Sequence, residues 1–196
     1  MSQELPDHTP LPPNFALQHP ADYLHALVAT VHSVLSQAQC LPEEVCGLGI
    51  DFTSSTVLPV FKNGEPLCSR KDLSHHPHAW CKLWKHHGAA QQAQRMEQAA
   101  HDLPWIIDYG GRVSAEYLLP KALEILEDDP EVYHTADLLV EAGDWIVWQL
   151  CGSLVRSQCS AGFKSFWQEE QGYPSNEYFY SLNPNFGLVT EHKRCV

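Results

Sequence analysis

Apolar positions along the first third of the chain fall into two patterns. Leu24, Leu27, Val28, Val31 and Leu35 recur three or four residues apart, which predicts an amphipathic helix entered near Pro20. "VCGLGIDF", residues 45–52, is instead a short apolar run punctuated by glycines, the pattern of a buried strand. "TVLPVF" and "EPLC" then flank Asn63-Gly64, a dipeptide that accepts the positive φ of a tight turn, so a hairpin is expected there. Good helix formers from Pro77 to about Ala100 would place Trp80, Leu83, Trp84 and His87 on one helical face. "YGGRVSAEYLLPKALEILEDDP" predicts a glycine turn and a helix that stops at Asp129-Pro130. "DPEVYHTADLLVEAGDWIVWQLCG" adds an acidic, Pro-containing helix start and a second apolar segment that Gly152 can close. No internal repeat or low-complexity tract interrupts this order. An α/β domain with a partly antiparallel sheet is the expected class.

Composition narrows the partners more than the fold. The chain has 196 residues, 44% of them hydrophobic and six of them Trp, which suits one domain, or one lobe of a larger protein, with a sizeable core. Twelve basic residues against twenty-four acidic ones leave a net charge of −12, which repels phosphate backbones and anionic membranes; nucleic acid is not an expected partner. No apolar run approaches the roughly 18 residues that a membrane span needs. The opening "MSQELPDHTPLPPNF" is polar and Pro-rich rather than a signal peptide, so a soluble, cytoplasmic chain is expected. Seven cysteines, an odd number without a secretory signal, read as reduced and mostly buried thiols.

Several groups of residues could carry chemistry. His75, His76 and His78 lie near Cys81, with His86 and His87 following, yet no paired C-x-x-C or H-E-x-x-H spacing accompanies them; solvated or helix-capping histidines are expected rather than a metal site. Cys40 and Cys46 do not show a ligand spacing either. Gly47, Gly49 and Gly110-Gly111 lack the pattern of a phosphate cradle, and no Ser is framed as G-x-S-x-G. Thr53, Ser54, Ser55 and Thr56 follow the apolar run 45–52, where strand ends commonly line ligand crevices. Their hydroxyls fit either a polyhydroxylated ligand or the hydrogen bonds of an ordinary turn. Trp80, Trp84, Trp145 and Trp148 could offer faces to sugar C–H groups or fill the core, and "SAGFKSFW" places Lys164 in a small-residue turn beside aromatics.

The stretches "GIDFTSSTVLPV", "PHAWCKLWKHHGAA", "YGGRVSAEYLLPK", "DPEVYHTADLLVEAGDWIVWQLCG" and "CSAGFKSFW" together resemble successive blocks of the FGGY family of carbohydrate kinases, over about Leu5 to Leu188. "KLWKHH" points to the family's ribulokinase branch. The resemblance implies two ribonuclease-H-like (actin-like ATPase) lobes with sugar and ATP meeting between them, of which this chain matches part of the first. The expected fold is thus a partial lobe, α/β, with a mixed sheet and flanking helices. Residues 1–19 are expected as a Pro-rich N-terminal segment and 20–196 as the incomplete lobe. The family's G-x-D-x-G-T phosphate motif is not found upstream, and its catalytic aspartate and nucleotide-binding lobe would follow the last matched block.

By the same resemblance, the complete enzyme would phosphorylate a ketopentose, L-ribulose or D-ribulose, using ATP and Mg²⁺. This chain would supply the sugar's side and show little or no kinase activity alone, with the C-terminal lobe as its missing partner. Sugar contacts would fall on Ser54, Ser55, Trp84, Lys164 and Glu116. Ser54 stands where T-A-C-T is common in ribulokinases, and "CSAGFK" replaces the usual threonine and tyrosine before the lysine. Asp51 is assigned a structural or pocket-shaping role, and no catalytic residue or metal ligand is expected within the chain. A non-catalytic sugar-binding lobe or one subunit of a split kinase is the competing expectation, and a sheet edge left open would favour oligomers.

Overall fold

The computed structural model describes residues 4–193. A four-stranded sheet in the order β1-β3-β2-β4 is built from β1 (Leu17–Gln18), β2 (Val57–Val60), β3 (Cys81–Lys82) and β4 (Leu138–Glu141). The α/β class is as expected, but the pairings are antiparallel throughout rather than mixed. β2 and β4 form the longest ladder, with Val57 opposite Glu141 and Val60 opposite Leu138. Helices α1 (Pro20–Ala38), α2 (Ala90–Ala100), α3 (Leu118–Asp128), α4 (Pro130–Thr135), α5 (Ala142–Cys151), α6 (Gln158–Ser165), α7 (Asn176–Leu182) and α8 (Val189–His192) surround it. None of these helices is long and apolar enough to cross a membrane.

Alternation along the strands creates two cores, because successive side chains leave a strand on opposite faces. Val57 and Leu139 join the larger core with Met96, Leu119, Leu123, Val132 and Phe179. Leu58, Val60, Leu138 and Val140 face the other way, onto Trp145 and Ile146 of α5. The Pro-rich opening packs onto the lobe, with Leu5 and Leu17 in the larger core.

Helix ends follow their local chemistry. α1 starts at Pro20 behind the ring of His19, which accepts the Ala21 N–H at 3.1 Å. Asp129 caps α4 by accepting from the Val132 N–H, with Pro130 pre-set for the first helical position. Gly152 closes α5 at φ 72°.

Several expectations are corrected. Residues 45–52 form no strand, since an apolar run becomes one only where a neighbouring strand supplies hydrogen bonds. "EPLC" contributes only the isolated bridge between Val60 and Pro66; β2 finds its partners in β3 and β4, while Gly64 does adopt the turn's positive φ of 86°. The helix expected from Pro77 begins only at Ala90, because residues 81–82 are drawn into the sheet, which leaves Trp80 and Leu83 buried and Trp84 44% exposed. The "SAGFKSFW" turn is largely α6, and Lys164 sits in its last turn. The second apolar segment, expected after the helix start at Pro130 and closed by Gly152, is divided between β4 and α5. Of the cysteines, Cys68 and Cys81 are buried, with burial pushing both thiols up to about 12. Cys46, Cys151 and Cys159 are exposed, contrary to the expectation of mostly buried thiols, and Cys195 lies outside the described residues.

Candidate functional site

The hydroxyl-rich turn before β2 is held from several sides. Ser55 has φ 65°, a left-handed conformation that costs a non-glycine residue roughly 1 kcal/mol. The Thr56 hydroxyl donates to the Thr53 carbonyl at 2.8 Å and lies 2.9 Å from the Thr53 hydroxyl. The Thr56 N–H donates to Glu141 Oε2 at 3.0 Å. Two of the four hydroxyls therefore serve the turn itself. Ser54 is exposed at its tip. Ser55 does not face a cleft as expected: it is fully buried, and its Oγ has no hydrogen-bond partner among the described residues. The positive φ turns that side chain inward.

Beneath the turn lies a set of buried charges on α3, β3 and β4. Glu124 lies 2.9 Å from His86 Nε2 through either oxygen and 3.5 Å from Lys82 Nζ, all three side chains without exposed surface. His86 Nδ1 accepts the Ala16 N–H at 3.3 Å, so a neutral ring with its proton on Nε2 satisfies both contacts. Burial, reinforced by Lys82, lowers His86 to about 4. Burial opposes ionisation of Glu124, but Lys82 and His86 outweigh it and hold the carboxyl at about 2. Burial likewise pushes Glu141 up to about 7, against the pull of Lys121 and Arg156. Lys121, also lowered by burial to about 7, donates from Nζ to the Ser55 and Leu83 carbonyls, each at 2.6 Å.

The expected sugar-contact residues gather around the start of α3 without forming one closed pocket. Trp84 is half-exposed on the loop after β3. Glu116, half-buried just before α3, lies 3.3 Å from His87 Nε2. Lys164 Nζ sits over the rings of Tyr117 and Phe163, 5.1 and 4.9 Å from their centroids. Beside it opens a cleft lined by Asp108, Tyr109, Tyr117, Phe163, Trp167 and Gln168. The other expected platforms are scaffold: Trp145 donates its indole N–H to the Gly64 carbonyl at 2.8 Å, and Trp80 donates to the Ser74 carbonyl at 2.9 Å. Among the histidines, His76 lies 2.8 Å from Asp129 and His78 stacks edge-on against Phe15. No group of three His, Cys, Asp or Glu side chains converges on a point among the described residues.

Sequence reasoning missed Lys82, Lys121, Glu124 and Glu141. A signal was available in "LLPKALEIL": apolar residues all round a helix mark it as buried, and charges within such a helix must find partners. Gly110-Gly111 is not arranged as a phosphate cradle. A cradle needs several free N–H groups aimed at one point, whereas Gly110 and Gly111 spend theirs on the carbonyls of Ile107 and Ile106, both at 2.9 Å.

No protein-family profile matches the chain. Among curated proteins it is 45% identical to a ribulokinase of Bacillus licheniformis and 42% identical to one of Mycolicibacterium smegmatis, in each case over 98% of this chain. It covers 36% and 35% of those proteins, so it spans about a third of the length of the relatives it matches. Among solved structures, a xyloylose kinase from Brucella ovis superposes with a TM-score of 0.67 at 14% identity, over 88% of this chain and 33% of that one. A ligand-bound xylulose kinase from Lactobacillus acidophilus gives 0.61 at 12% identity, over 93% and 34%. The chain is thus a homologue of the ribulokinases with the fold of an FGGY sugar-kinase lobe, matching about a third of such a protein.

Proposed function

We propose that this chain is the sugar-binding side of an ATP-dependent ketopentose kinase of the ribulokinase type, with residues 20–196 forming part of its first lobe. The observation that carries this is 45% identity to a ribulokinase over 98% of the chain. The geometry supports it: Ser54 at the tip of a pinned turn, Trp84 half-exposed, Glu116, and Lys164 on an aromatic face all belong to elements tied to α3. Trp84 would offer its face to sugar C–H groups, while Ser54, Glu116 and Lys164 would bond hydroxyls. Phosphoryl transfer depends on positioning and on neutralising phosphate charge, which the remainder of the complete enzyme would provide with ATP and Mg²⁺.

Titration calorimetry of the pure chain with L-ribulose, run beside an ADP-release assay with ATP and Mg²⁺, tests both halves of the proposal. Saturable L-ribulose binding without ADP release is expected, with Trp84→Ala weakening the binding. Absence of binding refutes the sugar side, and ADP formation at ordinary kinase rates refutes the division of labour.

A further inference from the structure

Two of the expected sugar-contact residues lie just beyond the Val57–Lys82 pair that joins β2 to β3: Ser54 in the turn before β2, and Trp84 in the loop after β3. Both are bound through a neighbour's backbone to one atom. Lys121 Nζ donates to the carbonyl of Ser55 and to that of Leu83, each at 2.6 Å, from a side chain with no exposed surface. Resting on the sugar-site reading above, we propose that Lys121 is a positioning residue that sets the separation of Ser54 and Trp84, and with it the width of the ketopentose site.

The surroundings suit that role better than a general structural one. Ser55 holds a left-handed φ of 65° that its side chain does not compensate, since the buried Oγ finds no partner among the described residues. A strained residue persists where its neighbours over-determine it. Here Lys121 holds the Ser55 carbonyl on one side of the turn, while Glu141 holds the Thr56 N–H on the other. Lys121 itself is fixed on α3, whose residues from Leu118 to Leu126 are buried, so the anchor cannot drift. An amine has two N–H donors even when neutral, so both carbonyls stay engaged despite the depressed pKa. Among the charged groups facing it, Glu141 favours the ammonium form most and Lys82 opposes it.

Lys121→Met keeps the stem and removes the donors. In the full chain it should still fold, move the backbone amide resonances of residues 54–56 and 83–85 together, and weaken L-ribulose binding by roughly tenfold or more. Ile125→Val, a mild loss of packing one turn along the same helix, should lower the melting temperature yet leave both sets of resonances and the affinity unchanged. A folded Lys121→Met chain whose two segments keep their resonances, or whose L-ribulose affinity is unaltered, overturns the proposal. Should the unmodified chain take up no L-ribulose, the ketopentose reading fails, and with it the site whose width Lys121 would set; the resonances then report only whether Lys121 still ties the two segments.

Discussion

Helices α1 and α3 both carry apolar residues at helical spacing, and they end in opposite situations. On α3 nine consecutive residues, Leu118 to Leu126, are buried, including Lys121 and Glu124. On α1, of nineteen residues only Pro20 is buried, and Val28 and Val34 stay 55% and 57% exposed. Residues 41–52 beyond it continue the open face, with Leu48 51% exposed. Periodicity fixes that a stripe exists; whether it is covered depends on what other elements supply. α3 is packed by α2, α4 and α6 at once, whereas α1 meets the lobe mainly along α5. Charges follow the same division, since the contacts with no exposed side-chain surface, Lys82 and His86 with Glu124, are made to α3.

The largest contrast should come from one substitution in each region. Glu124→Ala leaves Lys82 buried without its counter-charge and should cost about 3–5 kcal/mol. Val34→Ala on α1 removes mostly exposed surface and should cost less than about 0.5 kcal/mol. Urea unfolding of the two variants measures both, and comparable losses would erase the distinction between the regions.

Acid should act on the α3 region next. Burial, together with Lys82, holds His78 at about 3 and His86 at about 4 in the folded chain, so between about pH 6.5 and 4.5 both take up protons on unfolding. Stability therefore falls as pH drops through that window. Glu141, raised to about 7, works the other way, because it is protonated when folded and ionised when unfolded over the same range. One net proton remains, a loss of up to about 1 kcal/mol per pH unit. Below pH 4.5 Glu124, held at about 2, adds its own loss. Denaturant midpoints that stay level or rise from pH 6.5 to 4.5 would contradict the neutral, buried state of the two histidines.

Much of this was legible in the sequence where a signal is local. Pro20, the Asp129-Pro130 junction, Gly64 and Gly152 mark helix and turn boundaries through their own backbone preferences, and each stands where expected. The failures are non-local. The sheet claims Cys81 and Lys82 from an apparent helix, and β4 from an apolar block, through pairing that sequence spacing does not encode. At the candidate site, Ser54 and Trp84 are expected from the blocks of resemblance, and the structure leaves both side chains exposed. Lys121 is not expected from them, because its role exists only once residues 55, 83 and 121 meet.

The smallest expected effect falls on α1. Gln39, its C-terminal cap, adopts φ 51° and donates its N–H to the Leu35 and Ser36 carbonyls, a left-handed position that glycine occupies without strain. Gln39→Gly removes a steric cost of up to about 1 kcal/mol, partly offset by the extra freedom glycine has in the unfolded chain. Because α1 is so lightly covered, the benefit should appear as slower amide exchange in its last two turns, with little movement in the global melting temperature. Were the whole chain's melting temperature to rise in step with α1 protection, the helix would be unfolding with the α3 core rather than ahead of it.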